Sequence, residues 1–167
     1  MLAINSLAPA IINGRLRAFM ERSGPLPGQE PAGAGAGGAG AGGAPLKFIV
    51  NVSAMEGRFY KWKAPTHPHT NMAKAALNMM TRTSAADFAK SGIYMTAVDT
   101  GWINDEKPAE RAAADATTHN FQTPIDEVDA AARVLDPIIA PLRRQEAGEA
   151  AEPPFGCFLK DYSRCEW

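Results

Sequence analysis

The side chains best suited to proton transfer lie together in the segment HPHTNMAKAALNMM, residues 67–80. His67 and His69 flank a proline, and an imidazole titrates near pH ~6.5, which suits an acid or base at neutral pH. Thr70 and Lys74 are four residues apart, so in a helix they share one face. The alkyl hydroxyl of Thr70 is too weak an acid for this role. The segment predicts either a site that depends on a histidine or an ordinary helix start with Thr70 as its N-cap.

The same histidines, and the two cysteines, are poor candidates for metal ligands. A His-x-His pair with no placed third ligand is a weak zinc pattern. Cys157 and Cys165 fit neither a C-x-x-C motif nor a zinc knuckle. We therefore expect no metal, and two free thiols in a reducing compartment.

Composition and charge argue against several classes of protein. The chain has 167 residues, of which 46% are hydrophobic and 21% charged, and a formal net charge of -1. We expect one domain with one core, and no basic surface for nucleic acid. No apolar run reaches the ~20 residues that span a bilayer, so no membrane contact is expected. The predicted location is the cytoplasm. The alternative is an organelle, with the arginine-bearing residues 1–22 as a transit peptide.

The elements that would position these side chains alternate along the chain. Hydrophobic spacing predicts helices at 6–21, with Ser6 as its cap, and at 71–90. A further helix is predicted to begin at Thr123 and Pro124, and Pro137 is expected to kink or end it. Apolar runs predict three strands, at 46–52, 92–98 and 155–160.

This order of elements predicts an α/β fold. It indicates a partial Rossmann-like, doubly wound fold with about three parallel strands and flanking helices. Because the chain begins with a helix that has no strand before it, the first strand is expected to have an unpaired apolar edge.

A low-complexity segment of glycine and alanine interrupts the predicted domain, which covers residues 1–167. Residues 23–45 cannot build a core, and we expect them to form a disordered insertion. Gly35, Gly37 and Gly40 fit the pattern G-x-G-x-x-G. However, a phosphate-binding loop follows a strand and opens a helix, whereas these glycines follow a helix and precede a strand. We do not interpret them as a dinucleotide site.

Several stretches together resemble the C-terminal half of the short-chain dehydrogenase/reductase (SDR) family. INSLAPAIINGRL is similar to the helix that carries the asparagine of the catalytic tetrad, and FIVNVSAMEG to the strand that ends in the catalytic serine. A third stretch resembles the Tyr-x-x-x-Lys helix, the next strand and the following Pro-Gly loop. It reads HTNMAKAALNMMTRTSAADFAKSGIYMTAVDTGWI. The similarity runs from residue 3 to about residue 105, outside the insertion. It implies an NAD(P)-dependent oxidoreductase.

The resemblance extends only in part to the catalytic residues. Asn5 matches the tetrad asparagine and Lys74 the lysine, but Thr70 stands in place of the tyrosine. Ser53 precedes the catalytic serine position, which Ala54 occupies. His69 is a candidate substitute for the missing proton donor.

The cofactor positions implied by the resemblance are Lys74, Thr100, Gly101 and Asp105. Thr100 replaces the proline of the Pro-Gly loop, and Asp105 stands where the family often has a threonine. NAD(P) is the implied cofactor. The family binds it with an N-terminal strand–glycine loop–helix unit that is not in this sequence.

Two functional hypotheses follow from the sequence. The first is a truncated SDR relative without the catalytic tyrosine, a pseudoenzyme that is inactive alone. A version of it keeps catalysis if Met1 is an internal residue of a longer natural chain. The second hypothesis is an interaction protein. It would form a homodimer, or pair with a full-length SDR paralogue, through the helices at 6–21 and 71–90, which form a four-helix bundle in the family.

Overall fold

The structure is a computed structural model that describes residues 1–23, 45–60, 62–103, 110, 123–149 and 152–167. Asp105 and nearly all of the predicted insertion at 23–45 lie outside the described residues. Predictions about them are therefore not compared with the structure.

A four-stranded sheet forms the centre of the fold. Strands β1 (Lys47–Ser53), β2 (Ile93–Asp99) and β3 (Phe158–Lys160) lie in that order and run parallel. This confirms the predicted α/β class and its three parallel strands. The structure adds β4 (Ser163–Cys165), which pairs antiparallel with β3. The sequence did not reveal β4 because three residues are too few to show a strand period.

Helices cover both faces of this sheet. A π-type turn at Ala3–Leu7 leads into α1 (Ala8–Arg22). A single 3₁₀ turn at Met55–Gly57 follows β1 and precedes α2 (Pro68–Ala89), and α3 (Glu127–Glu146) precedes β3. The helices predicted at 6–21 and 71–90 are thus confirmed within a few residues.

Three predicted helix boundaries are wrong. The chain is already helical before Ser6, whose hydroxyl instead donates a hydrogen bond to the Ala73 carbonyl at 2.7 Å. Thr70 is not an N-cap, because α2 begins at Pro68 and the cap position is His67, with a left-handed φ of 62°. α3 begins after Asp126, whose carboxylate accepts a hydrogen bond from the Asp129 N–H at 2.8 Å.

Pro137 was predicted to kink or end this helix, and it does not end α3. The helix continues through Pro137 and Pro141 to Glu146, and both prolines are buried. Because proline has no backbone N–H, each of these positions lacks a helical hydrogen bond. Both rings are instead packed in the interior of the protein.

Alternate residues of the strands pack against opposite layers of helix, as the pleat requires. On one face, Ile93 and Met95 of β2 pack with Ala85 and Phe88 of α2. On the other face, Val98 packs with Val134 of α3. The core therefore has two halves, one on each side of β2.

β1 forms one edge of the sheet described by the structure. It pairs with β2 alone, in the register Lys47↔Ile93 to Ser53↔Asp99. All seven residues of β2 are buried, whereas Val52 of β1 remains 45% exposed. The apolar run of β1 is typical of a strand buried on both faces, but in the structure β2 has that burial, since α2 and α3 pack against its two faces.

α1 packs through polar contacts and leaves most of its apolar side chains exposed. Asn13 is its one buried residue. Arg17 pairs with Asp87 of α2 and lies over the Phe88 ring at 4.8 Å. Ile12 and Phe19, by contrast, are 53% and 65% exposed.

Within the described residues, no helix combines the length and apolarity needed to cross a membrane. The same part of the chain contains no cluster of three or more His, Cys, Asp or Glu side chains arranged to hold a metal.

Candidate functional site

The candidate site lies at the carboxyl ends of β1 and β2, where parallel α/β sheets commonly bind ligands. Ser53 ends β1 and stands opposite Asp99, which ends β2. The N-terminal turns of α2 bring Thr70 and Lys74 to the same end of the sheet. Gly57 allows this approach, since a Cβ there would stand 2.5 Å from the Lys74 carbonyl carbon. Close packing of the 3₁₀ turn on α2 therefore positions the site.

Ser53 points away from the sheet end and into the layer between β1 and α2. It is 3% exposed, and its hydroxyl donates a hydrogen bond to the Asn78 side-chain oxygen. Asn51 lies on the same face of the strand, two residues earlier. The serine hydroxyl is thus engaged by the core, and Ala54 occupies the following position.

The Lys74 side chain contacts the backbone at the end of β1. Its ammonium group donates a hydrogen bond to the Val52 carbonyl oxygen at 3.0 Å. This carbonyl immediately precedes Ser53. Lys74 and Ser53 therefore lie close together in the fold, but their polar groups form hydrogen bonds to different partners.

Thr70 and His69 occupy the first turn of α2. The Thr70 backbone N–H donates to the His67 carbonyl at 3.1 Å, and its side chain makes no hydrogen bond to the described residues. His69 is exposed, with its ring 6.1 Å from that of His67. The imidazole is accessible to solvent, but no described acid or base orients it.

Asn5 lies within the π-type turn at Ala3–Leu7. Its side-chain amide donates to the Met1 carbonyl at 3.3 Å, and its backbone N–H donates to the same oxygen at 2.9 Å. Such turns occur often at functional sites, since they free backbone groups from the regular ladder. The Asn5 side chain forms its hydrogen bonds within its own turn, and none of the hydrogen bonds between described residues joins it to Ser53, Thr70 or Lys74.

The loop after β2 contains hydrogen bonds between its own residues. The Gly101 N–H donates to the Asp99 carboxylate at 2.7 Å, and the Thr100 hydroxyl donates to the Gly101 carbonyl at 3.3 Å. Gly101 has a φ of +81°, and a Cβ there would stand 2.8 Å from the Ile125 side chain. Lys160 lies 3.7 Å from the buried Asp99 carboxylate. The two predicted cofactor positions in this loop are thus structurally constrained.

A pocket of about 280 Å³ opens beside the 3₁₀ turn. Its described lining includes Met55, Glu56, Trp62, Lys63, His67 and Asn71, and none of the four tetrad positions. The Lys63 ammonium donates to the Met55 and Glu56 carbonyls at 3.1 and 2.6 Å. The pocket therefore borders the candidate site from the side of the loop before α2.

Sequence reasoning missed a buried polar chain that ties α1, β1 and α2 together. Asn13 donates to the Asn51 side-chain oxygen at 3.1 Å, and Asn51 donates to the Thr81 hydroxyl at 3.0 Å. Thr81 in turn donates to the Leu77 carbonyl at 2.9 Å. An asparagine within an apolar strand, as in FIVNV, is the signal that could have found it, since asparagine is depleted in strands.

Three of the four tetrad positions form hydrogen bonds to groups that belong to the fold itself. Ser53 bonds within the core, Asn5 bonds within its own turn, and Lys74 bonds to a strand carbonyl. Thr70 supplies a hydroxyl without the acidity of a phenol. The arrangement holds the end of β1 against α2.

Comparisons with other proteins identify the fold. No family model matches the sequence. The uncharacterized protein R665 of Acanthamoeba polyphaga mimivirus is 35% identical over 97 residues, which are 54% of this chain and 20% of that protein. The chain therefore spans a small part of this relative.

Solved structures with the same fold are carbonyl reductases and a short-chain dehydrogenase/reductase. Carbonyl reductase Sniffer of D. melanogaster has a TM-score of 0.58 and 16% identity, over 99% of this chain and 55% of that one. The NADPH-bound carbonyl reductase from chicken fatty liver has a TM-score of 0.51 and 17% identity, over 98% and 54%. The NADP-bound short-chain dehydrogenase/reductase from Burkholderia multivorans has a TM-score of 0.53 and 15% identity, over 100% and 54%.

These likenesses confirm an SDR-like fold over nearly the whole chain. Sequence identity is low in all three, so they establish the fold alone. The chain spans little more than half the length of each of these structures.

Proposed function

We propose that this chain is an SDR-like oxidoreductase scaffold with a degenerate catalytic centre, inactive as a dehydrogenase by itself. The observation that carries the proposal is Thr70, which stands in the first turn of α2 where the resemblance places the catalytic tyrosine. A phenol has a pKa of ~10 that a nearby ammonium group can lower, whereas an aliphatic hydroxyl stays protonated. The proton-transfer step of carbonyl reduction therefore lacks its donor.

Contacts around the implied cofactor positions support the same proposal. NAD(P) is implied by resemblance, yet the Gly101 N–H already bonds to Asp99 and the Lys74 ammonium to the Val52 carbonyl. The single N–H of Gly101 would have to leave its partner to bind a nicotinamide, and one of the three N–H donors of Lys74 is already engaged. We therefore derive no catalytic step through a dinucleotide.

Titration of the purified chain with NADPH, followed by an assay with a carbonyl substrate, tests the proposal. We expect neither saturable binding nor turnover, in the wild type or in Thr70→Tyr, because Ser53 remains turned into the core. NADPH-dependent turnover by the wild type that Lys74→Met abolishes would overturn the proposal. Lys90→Met is the matched control, since Lys90 is an exposed lysine near the far end of α2.

His69 provides a separate test of residual catalysis. Its exposed imidazole can serve as a substitute acid only if a substrate brings it into an ordered site. Should the assay detect turnover, loss of that turnover in His69→Ala would assign the proton to His69. An unchanged rate in His69→Ala would remove His69 from the reaction.

We propose as a second candidate that the chain binds a second copy of itself or an SDR paralogue through α1 and α2. The specific observation is the exposed apolar surface of these helices, formed by Ile4, Leu7, Ile11, Ile12, Leu16, Phe19, Met72 and Met79. A monomer rarely leaves a large contiguous apolar patch in water, and eight exposed apolar side chains on neighbouring helices make such a patch the reason for this candidate. Within the described part of the chain β1 pairs with β2 alone, and its other edge is a further surface for association.

Light scattering after size exclusion tests the second candidate. We expect a mass near twice 17.8 kDa for the wild type and a monomer mass for Ile12→Glu. Val128→Glu is the matched control, because Val128 is an exposed aliphatic residue on α3, at 69% exposure. A wild type that stays monomeric, and does not bind a full-length SDR added in excess, would contradict this candidate.

We also propose a domain organisation and a cellular location for this chain. All described elements pack around one sheet, which supports a single domain over residues 1–167. The cytoplasm is the proposed compartment. A transit-peptide role for residues 1–22 is the alternative, and a fluorescent fusion with and without these residues distinguishes the two.

A further inference from the structure

A buried guanidinium group lies between the loop after β1 and the C-terminal strand. Arg58 is 3% exposed. It stacks on the Tyr60 ring at 4.2 Å and faces the Phe158 ring at 5.6 Å. A charge removed from water in this way ordinarily has a carboxylate partner.

Arg58 has no such partner in the part of the chain that the structure describes. Its Nη1 contacts the Met55 sulfur at 3.1 Å and the Cys165 sulfur at 3.0 Å, and both are weak acceptors in their neutral forms. Its Nε is buried without any described acceptor. The site therefore holds a cation and an unused donor, and it lacks an anion among the described residues.

Cys165 is the group that can supply that anion. It lies in β4 at the edge of the sheet and is only partly buried, so small reagents can reach it. The nucleophilic form of a cysteine is its thiolate, and the positively charged guanidinium of Arg58 places its Nη1 3.0 Å from the Cys165 sulfur. Cys157 provides an internal contrast, since burial raises the pKa of its thiol and so makes it less reactive.

We propose that Cys165 is an oxidation site, a peroxide-reactive thiol that Arg58 activates and whose oxidised form Arg58 binds. The Cys165 thiolate attacks one oxygen of hydrogen peroxide. The S–O bond forms as the O–O bond breaks, two electrons pass from sulfur to the peroxide, and hydroxide leaves and is protonated to water. The product is a sulfenic acid, whose oxygen is a stronger hydrogen-bond acceptor for the guanidinium group than the thiol sulfur is.

This proposal is independent of dehydrogenase activity. It depends on the pairing of Arg58 and Cys165, which are 107 positions apart in the sequence. Reversible oxidation there would act on the contact between the loop before α2 and the C-terminal strand.

Alkylation of the folded full-length chain, read by peptide mass spectrometry, tests the activation. We expect Cys165 to react at least ~10-fold faster than Cys157 with iodoacetamide, since reactivity follows thiolate character and access. The anionic reagent iodoacetate should favour Cys165 further because the guanidinium attracts it. Arg58→Gln should lower the ratio of iodoacetate to iodoacetamide rates, a change that altered exposure alone would not produce.

Arg164→Gln is the matched control, since it removes an exposed arginine next to Cys165. It should leave the rate ratio at Cys165 within ~2-fold of the wild type, because exposed charges are well screened. An equal fall in both arginine variants would overturn the role of Arg58.

The wild type alone also tests the proposal if Arg58→Gln does not fold. Treatment with hydrogen peroxide followed by dimedone, which traps sulfenic acids, should label Cys165 and leave Cys157 unlabelled. Equal alkylation of the two cysteines, or no dimedone adduct on Cys165, would overturn the proposal.

Discussion

The hydroxyl of Ser53 donates its hydrogen bond to the side-chain oxygen of Asn78, across the interface between β1 and α2. Both residues are buried, at 3% and 4% exposure. The amide nitrogen of Asn78 has no acceptor among the described residues. The serine at the end of β1 therefore serves the packing of a helix on a strand.

Ser53→Ala should lower the free energy of unfolding by about 1–2 kcal/mol, because it leaves the buried Asn78 amide without any partner. Replacing both residues, as Ser53→Ala with Asn78→Leu, should recover most of that loss, since no polar group then stays buried and unpaired. Urea unfolding of the two single variants and the double variant measures the coupling. A double variant that loses the sum of the single losses would contradict this structural role of Ser53.

Asn51→Ala should be more destabilising, by about 2–4 kcal/mol, because it breaks two buried hydrogen bonds and leaves a cavity. The bonds are those to Asn13 and to Thr81. Chemical denaturation of the variant measures the loss.

Asn5→Ala is the control for Asn51→Ala, since the Asn5 amide bonds only within its own exposed turn. Its effect should stay within ~0.5 kcal/mol. Similar losses in the two variants would show that Asn51 does not join α1 to α2.

Gly57→Ala should destabilise the protein by about 1–3 kcal/mol, the usual cost of forcing an extra methyl into a packed site. Its Cβ would stand 2.5 and 2.7 Å from the Lys74 carbonyl carbon and oxygen, and a helix backbone cannot move aside cheaply. Thermal unfolding measures the change.

The same substitution at Gly14 should have the opposite sign. Gly14 lies inside α1, and a Cβ added there would meet no atom within 4 Å. Alanine at this position should stabilise the helix by roughly 0.5–1 kcal/mol, because glycine is a poor helix former. A Gly57→Ala variant as stable as Gly14→Ala would exclude the close approach of the 3₁₀ turn to α2.

The ion pairs of Arg17 predict how stability depends on pH. Hydrogen bonds from Arg17 hold the pKa of both Asp87 and Glu21 below their ordinary values. The unfolded chain should titrate these groups near pH ~4. Since the folded pKa values are lower, their contribution is present above pH ~4 and is lost as the pH falls through the folded values.

Arg17→Met should therefore reduce the loss of stability on acidification. Melting temperatures at neutral pH and at about pH 3, in low salt, measure the difference between the variant and the wild type. Arg15→Met is the control, because Arg15 is an exposed arginine of the same helix without a described carboxylate partner. Parallel curves for wild type and Arg17→Met would contradict the prediction.

Local sequence signals located most elements of the fold. The apolar runs at 46–52 and 92–98 predicted β1 and β2, because a strand enclosed by helices needs apolar side chains on both faces. The order and spacing of the segments from residue 3 to residue 105 also carried the resemblance that the fold comparisons confirm. Helix starts were less predictable, since Thr70 and Thr123 look like caps while Pro68 and Asp126 define the actual boundaries.

Side-chain direction and long-range partners could not be predicted in the same way. The periodicity of α1 predicted an apolar helix, but not that Asn13 would face the core while Ile12 and Phe19 face solvent. That choice depends on Asn51 and Asp87, which lie on other elements.

The sequence by itself therefore determined the class of fold and the absence of a tyrosine at position 70. These depend on residue type and local periodicity, which are properties of short segments. Only the tertiary structure decided that Ser53 bonds to Asn78, that Lys74 bonds to Val52, and that Arg58 meets Cys165. Such pairings join residues that are 22 to 107 positions apart, and they arise from the way helices and strands pack together.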